Sequence, residues 1–492
     1  MLFNPLILLP LVLFVSSFFI IFIPKNNTSF IKNFALFISL SVFLYSLLLW
    51  INFDYSCAKF QFSTNFVWIS CSNINFSFGL DGISLFFILL TTFIFPLCIL
   101  SSYVSVKKFI KEYFIAFLLL ELILIITFSV VDILLFYIAF ESILIPMFII
   151  IGIWGSRERK IRAAYMFFMY TLFGSVLFLL AIIYIFNRVG TTDYETLILV
   201  DFSLLEQQVL WLAFFLSFAA KIPMIPFHIW LPEAHVEAPT AGSVVLAGLL
   251  LKLGSYGFIR FSLPIFPDAC VFYTPVIFTV SIIGVIYTSF TATRQTDLKR
   301  IIAYTSVAHM NLVVIGIFSF SITGLEGSIL QSISHGFVSS ALFLLIGVIY
   351  DRHHTRLVKY YSGIVHTMPL FTLFFLFFTI ANIAVPGTSS FVGEFLILAG
   401  VMKTNSSIAF LGTTSMILSG GYALWLFNRI SYGNLKVQYL THFSDLNKRE
   451  FFIFLPLTIS TLFFGIYPII LLDPIHASAY HVITQLNPLL FY

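Results

Sequence analysis

Six ionisable residues stand in stretches otherwise too apolar to keep a charge: Glu141, Lys221, Lys252, His309, His335 and Glu394. Lys221 lies in LSFAAKIPMIPFHIWLPEAH and Lys252 in AGSVVLAGLLLKLGSYGF. Glu141 sits in LLFYIAFESILIPMFIIIGIWG, and Glu394 in ANIAVPGTSSFVGEFLILAG. A Lys at the centre of a membrane helix costs roughly 2.5–3.5 kcal/mol on insertion scales. A chain that keeps two of them has a use for groups that gain and lose protons away from water. Histidine adds a group that titrates near neutrality. The chemistry open to this set is proton or cation movement. In that reading Glu141 pairs with Lys221, and an opposite charge couples the two titrations. Lys252 is a central relay, His309 and His335 pass the proton on, and Glu394 is a terminal donor or acceptor. Plainer readings stand beside these. Glu141 is then a protonated core carboxyl, and Lys252 snorkels to an interface. The histidines are then hydrogen-bonded packing residues, and Glu394 a carboxylate at a helix N-terminus.

The elements that must hold such groups are membrane helices. The 492 residues are 60% hydrophobic and only 9% charged, with mean hydropathy +1.05. A soluble protein of this length needs far more polar surface. Apolar runs of helical length exclude a β-barrel, whose strands alternate over about ten residues. Windows of about 19 residues predict an all-α polytopic fold of about fourteen helices, the first near 5–23 and the last near 451–472. The candidate residues fall on predicted helices 132–152, 203–230, 241–261, 301–320, 327–350 and 368–400.

Charge distribution supports this map. With both termini on one face, nineteen of the 25 Lys and Arg collect on the other. Lys59, Arg188, Arg260 and Lys403 fall on the terminal face, and Lys221 and Lys252 stay inside. Positive-inside sorting produces this asymmetry and sets the termini toward the intermembrane space or periplasm. Two helices read as broken. Pro223, Pro226, Pro232 and Pro239 crowd the stretch after Lys221, and Pro386–Gly387 precede Glu394. Proline removes a backbone donor, and freed backbone groups survive in a bilayer only inside protein or beside a wet cavity. The breaks lie five helices apart, which predicts two inverted five-helix repeats, 110–262 and 268–431, with helices one to three in 1–109 and the last helix and tail in 432–492. Paired interrupted helices are a pointer to an ion site.

Other classes find no support. Cys57, Cys71, Cys98 and Cys270 form no CxxC pair and no Cys/His cluster, so zinc and iron–sulfur sites are not expected. Cys57 and Cys71 share one external loop and either pair or stay free. There is no GxGxxG or P-loop, and a net charge of +4 without a basic cluster gives nucleic acid no footing. His228, Glu233, His235 and Glu237 are metal ligands by type, but the prolines spoil a shared helical face; a gate or entry funnel is expected there. The start reads as a retained first helix without signal- or transit-peptide character. The 62 Phe residues point to AT-rich coding, as in an organelle or small bacterial genome.

At these same motifs the chain resembles the antiporter-like membrane subunits of respiratory complex I, and among them the subunit 4 branch. The resemblance rests on the Glu141 and Lys221–Lys252 stretches, TDLKRIIAYTSVAHMNLVVIG, ISHGFVSSALFLLIGVIYDR and VPGTSSFVGEFLILAG, in that order across most of 115–400. It implies that Glu141, Lys221, Lys252, His309, His335 and Glu394 are the family's proton-relay residues; Glu at 394 is like subunit 4, where sister subunits carry Lys. It implies a proton-translocating part of an NADH:ubiquinone oxidoreductase that itself binds no cofactor, with FMN, iron–sulfur clusters and ubiquinone held by other subunits. The implied partners are antiporter-like subunits 2 and 5, the lateral helix of subunit 5 and the lipid bilayer, in the mitochondrial inner membrane or a bacterial plasma membrane. A Mrp-type multi-subunit sodium/proton antiporter subunit shares the motifs and stands as the alternative, and a structural subunit with vestigial charges is a third reading.

Overall fold

Long apolar runs become helices because only a helix satisfies its own backbone in lipid. In the computed structural model, which describes residues 4–70, 73–436, 438–439 and 444–486, twelve helices among the described residues are long and apolar enough to cross a membrane. Thr240–Ile265 and Ile322–His353 are wholly buried over their most apolar windows, whereas Thr28–Ile51 and Lys448–Ile466 bury only 28% of theirs. The first pair is therefore the centre of the bundle, and it carries Lys252 and His335.

The expected segments 203–230 and 368–400 are each split. The first becomes Leu204–Lys221 and Trp230–Glu237, the second Pro369–Asn382 and Ser389–Thr404. At the first break Pro223 has no N–H for the Ala219 carbonyl, and Met224 donates to it instead at 3.0 Å. The Trp230 indole donates to the Ala220 carbonyl at 2.9 Å. At the second break Ser390 Oγ donates to the Ala381 carbonyl, and Gly387 takes a φ of +95°, a conformation open to glycine at no steric cost. Both interruptions are thus satisfied by the protein itself. The predicted helix 132–152 is divided at Ile143 into Ile133–Ser142 and Leu144–Trp154. Pro146 explains this, since it cannot donate to Ser142.

The all-α expectation needs one correction. The loop after the second helix forms an antiparallel hairpin, Gln61–Ile69 with Ile74–Leu80. Its second strand, INFSFGL, alternates apolar with small or polar residues in sequence, although its burial does not follow that period. Cys71, and with it any Cys57–Cys71 pairing, lies outside the described residues. The tail also holds a further helix, Ile469–Leu486. It is tied to the bundle by Gly82 N–H donating to Ser478 Oγ at 3.0 Å and by His476 Nδ1 at 2.5 Å from Glu326 Oε1.

Candidate functional site

The centre is built on a helix that departs from α geometry twice. Within Thr240–Ile265, Leu246–Leu250 and Phe258–Ser262 are π-turns, a form that appears mostly as single turns at functional sites. Lys252 follows the first of them and is fully buried. Its ammonium donates to the Ala247 carbonyl inside that turn at 2.5 Å and lies 2.8 Å from His335 Nδ1. The reading of Lys252 as a snorkelling residue does not fit these contacts.

His335 and His309 lie on neighbouring buried helices with ring centres 5.8 Å apart. His309 Nδ1 is 2.8 Å from Glu394 Oε1, both side chains being nearly inaccessible. Gln331 Nε2 donates to the same oxygen at 3.0 Å, and Ser334 Oγ donates to Gln331 Oε1 at 3.1 Å. Lys252 with His335, and His309 with Glu394 and Gln331, are therefore two contact groups in line, and among the described residues no hydrogen bond joins the two histidines. Helix approach makes them tight: a Cβ on Gly393 would come within 2.8 Å of the Gln331 backbone, and one on Gly327 within 2.7 Å of the Ile397 amide.

Glu141 and Lys221 stand at the other end. Lys221 ends the helix before the first break; its ammonium donates to the Phe140 carbonyl at 3.4 Å and lies 4.3 Å from the centre of the Phe140 ring. The Glu141 carboxylate oxygens are buried without a hydrogen-bond partner. The two charges interact through space, but among the described residues no contact of 4.0 Å or less joins them. The expected coupling is therefore one at a distance, with the ammonium bonded to the Phe140 carbonyl. No hydrogen bond among the described residues links Lys221 to Lys252 either. Between their helices Gly254 admits Ile222, and Gly257 admits the Phe218 ring.

The residues after the first break separate rather than cluster. His235 stacks on Phe343 at 4.6 Å with both ring nitrogens unpartnered. His228 faces Tyr287 at 6.0 Å, and Glu233 pairs with Arg300. Glu237 lies 3.8 Å from Arg356, which Asp297 also approaches at 3.6 Å. Among the described residues no group of three or more His, Cys, Asp or Glu is arranged for a metal. Glu121 is buried in Ile110–Ser129 without a partner.

Several polar residues at the site escape a reading of the chain alone. Arg356 and Lys299 count as loop charges in the sequence, yet both are buried. Lys299 donates to the Ala238 carbonyl at 2.8 Å and to Ser243 Oγ at 3.1 Å. Gln331 carries no charge and stands out only once Glu394 is placed beside it. Arg260, expected on the terminal face, lies inside the central helix and pairs with Asp81 at 2.6 Å. Asp132 caps the following helix by accepting from the Leu134 and Leu135 amides, and takes a bond from Thr192 at 2.6 Å. Burial pushes the Asp132 carboxyl up to about 6 against those hydrogen bonds, with Asp193 adding to the rise.

The chain is similar to known proteins over nearly its whole length. Residues 130–419 match the family model described as NADH:quinone oxidoreductase/Mrp antiporter, TM. The chain is 57% identical over 480 residues to NADH-ubiquinone oxidoreductase chain 4 of Marchantia polymorpha, covering 98% of this chain and 96% of that one. The chain 4 of Arabidopsis thaliana is likewise 57% identical, over 98% of this chain and 96% of its own. That of the anemone Metridium senile is 46% identical over 96% and 97%. A chain in the structure of respiratory complex I from Thermus thermophilus with bound NADH superposes with a TM-score of 0.90 at 26% identity, covering 98% of this chain and 100% of that one. The chain belongs to the NADH-ubiquinone oxidoreductase chain 4 family, within the NADH:quinone oxidoreductase/Mrp antiporter membrane proteins.

Proposed function

We propose that this chain is a proton-translocating membrane-arm subunit of an NADH:ubiquinone oxidoreductase, moving protons along Glu141, Lys221, Lys252, His335, His309 and Glu394. The observation that carries the reading is the line of buried polar groups at the centre of a membrane bundle, with Lys252 on His335, His309 on Glu394 and the two imidazole rings 5.8 Å apart between them. Groups of opposite sign and different basicity lie in reach of one another there, as proton transfer requires. The separation of the His335 and His309 rings is of the size that ring rotation or one bridging water spans. Redox events elsewhere in the complex alter the charge interaction between Glu141 and Lys221. Lys221 then passes its proton to Lys252, and the line beyond carries charge to Glu394. Moving one charge against 100 mV takes about 2.3 kcal/mol, so a change of a few kcal/mol in ion pairing is the scale required.

In this reading the chain crosses the membrane fourteen times, counting the two broken helices once each, as two inverted five-helix units with the termini toward the intermembrane space of a mitochondrion. Electron carriers belong to other subunits. Its neighbours are antiporter-like subunits 2 and 5, with the lateral helix of the latter alongside. The test is NADH-driven proton pumping by the assembled enzyme carrying Lys221→Ala. Pumping per NADH should fall sharply; undiminished pumping by a fully assembled variant refutes the reading.

A further inference from the structure

Lys252 has a second polar column leading away from it, toward the face that carries the β-hairpin. Lys252, Tyr256 and Arg260 follow at four-residue intervals on one helix, all three buried, with about 12 Å of rise from the first to the last at 1.5 Å per residue. Arg260 ends the column. Its guanidinium is 2.6 Å from Asp81 Oδ1. It also lies 4.9, 5.6 and 5.4 Å from the ring centres of Phe60, Tyr194 and Tyr256. Arg260 Nε donates to the Tyr256 hydroxyl at 3.3 Å, and that hydroxyl donates to the Phe128 carbonyl at 3.3 Å. Phe60 comes from the loop just before the hairpin, Tyr194 from the short helix Tyr194–Leu197, and Asp81 from the cap of Gly82–Ser105. Three separate segments therefore converge on one side chain of the central helix.

Such a column is either an outlet or a plug, and its chemistry decides between them. Arginine stays protonated in proteins, so Arg260 cannot pass a proton by titrating. A fixed positive charge in a narrow polar passage repels protons. Both hydroxyls between Lys252 and Arg260 already spend their protons on backbone carbonyls, Tyr256 on that of Phe128 and Ser255 on that of Lys252 at 3.0 Å. Asp81 is committed as well: Ser84 N–H donates to it at 2.9 Å beside the guanidinium. Burial works against its charge, but Arg260 and the Ser84 hydrogen bonds outweigh that and hold the carboxyl below its ordinary range. It stays an anion and accepts no proton in passing.

We infer that Arg260, clamped by Asp81 and boxed by Phe60, Tyr194 and Tyr256, is an electrostatic plug that closes the relay at Lys252 against the hairpin face. Protons reaching Lys252 then leave only along the histidines. This rests on the proposed relay through Lys252. The test uses the whole complex in proteoliposomes, with an imposed potassium/valinomycin potential, no NADH and an internal pH dye. The double variant R260M/D81N removes both charges while keeping packing and a capping side chain, a replacement that buried ion pairs often tolerate. Its passive proton permeability should rise severalfold, R260K should stay as tight as the parent, and adding K252M should return the leaky variant to tightness. R260Q, which keeps donors toward Asp81 and Tyr256, is read in the same assay if the double variant does not assemble, and should also leak. Vesicles as tight as the parent overturn the plug. Tight vesicles with diminished NADH-driven pumping also overturn it, by making the column an outlet. Normal pumping by K252M alone would instead remove the relay reading, and the leak measurement reports that separately.

Discussion

Gln331→Leu is the substitution whose consequence can be worked furthest from the geometry. Leu matches Gln closely in size, so the tight approach of Gly393 is kept. What is lost is the amide donor 3.0 Å from Glu394 Oε1 and the acceptor that Ser334 uses at 3.1 Å. A hydrogen bond to a charged group contributes about 1.5–3 kcal/mol. His309 still holds the same oxygen at 2.8 Å, so the line is weakened rather than cut. If the anionic form of Glu394 takes part in the slowest transfer, the loss corresponds to roughly a 10- to 100-fold slower step, at 1.36 kcal/mol per decade. Ser334 is buried, but its hydroxyl also lies 3.1 Å from the Gln331 backbone carbonyl and can donate there instead, so the structural cost is small. The assay is NADH-driven proton uptake by proteoliposomes, together with difference infrared spectra in the carboxylic acid region. Pumping by Q331L should slow while assembly and NADH oxidation with artificial acceptors persist, and the Glu394 carboxyl signal should change. Unaltered pumping with an unaltered carboxyl signal would refute the role given to Gln331, and with it the line of buried polar groups as the working path.

Gly327→Ala should loosen the joint between Ile322–His353 and Ser389–Thr404, because its Cβ would sit 2.7 Å from the Ile397 amide. Overpacking of this kind costs about 1–3 kcal/mol, readable as a lower temperature of subunit loss from the solubilised complex. Asp132→Asn should do the opposite at alkaline pH. The native carboxyl, raised to about 6 from an ordinary 3.8, binds more protons folded than unfolded, so native stability falls as pH rises through that interval and stays reduced above it. The variant should therefore melt higher than the parent at pH 8, with the gap closing below pH 6. An equal gap at every pH would show that its charge is not the cause.

How much of this was legible from the chain alone differs from residue to residue. Lys221, Lys252 and Glu394 announce themselves because a charge in an apolar run has few bland explanations, and Pro223, Pro226 and Pro386 mark both breaks by chemistry that is local to them. The contact between Lys252 and His335 is not local. It depends on how two central helices sit, and only the glycines at Gly248 and Gly336, where the helices come close, hint at it. Counting charges by loop assigns Arg356, Lys299 and Arg260 to a face and says nothing of their depth, and all three are buried. Their burial comes from partners distant in sequence: Val236 for Arg356, Ala238 for Lys299 and Asp81 for Arg260. The hairpin was hidden by a stretch whose alternation is interrupted on its first strand. Charge alone pairs Glu141 with Lys221 in the sequence, and the bond from the Lys221 ammonium to the Phe140 carbonyl is to backbone, which no residue type reveals.

The central claim is that protons pass through Lys252 to Glu394. The measurement that meets it most directly is the number of protons pumped per NADH oxidised by the assembled, reconstituted complex with Lys252→Met, a change that keeps the length of the side chain and removes its proton. The relay predicts that this ratio drops while the enzyme still assembles and still oxidises NADH with an artificial acceptor. A fully assembled Lys252→Met enzyme that pumps as many protons per NADH as the parent would contradict it.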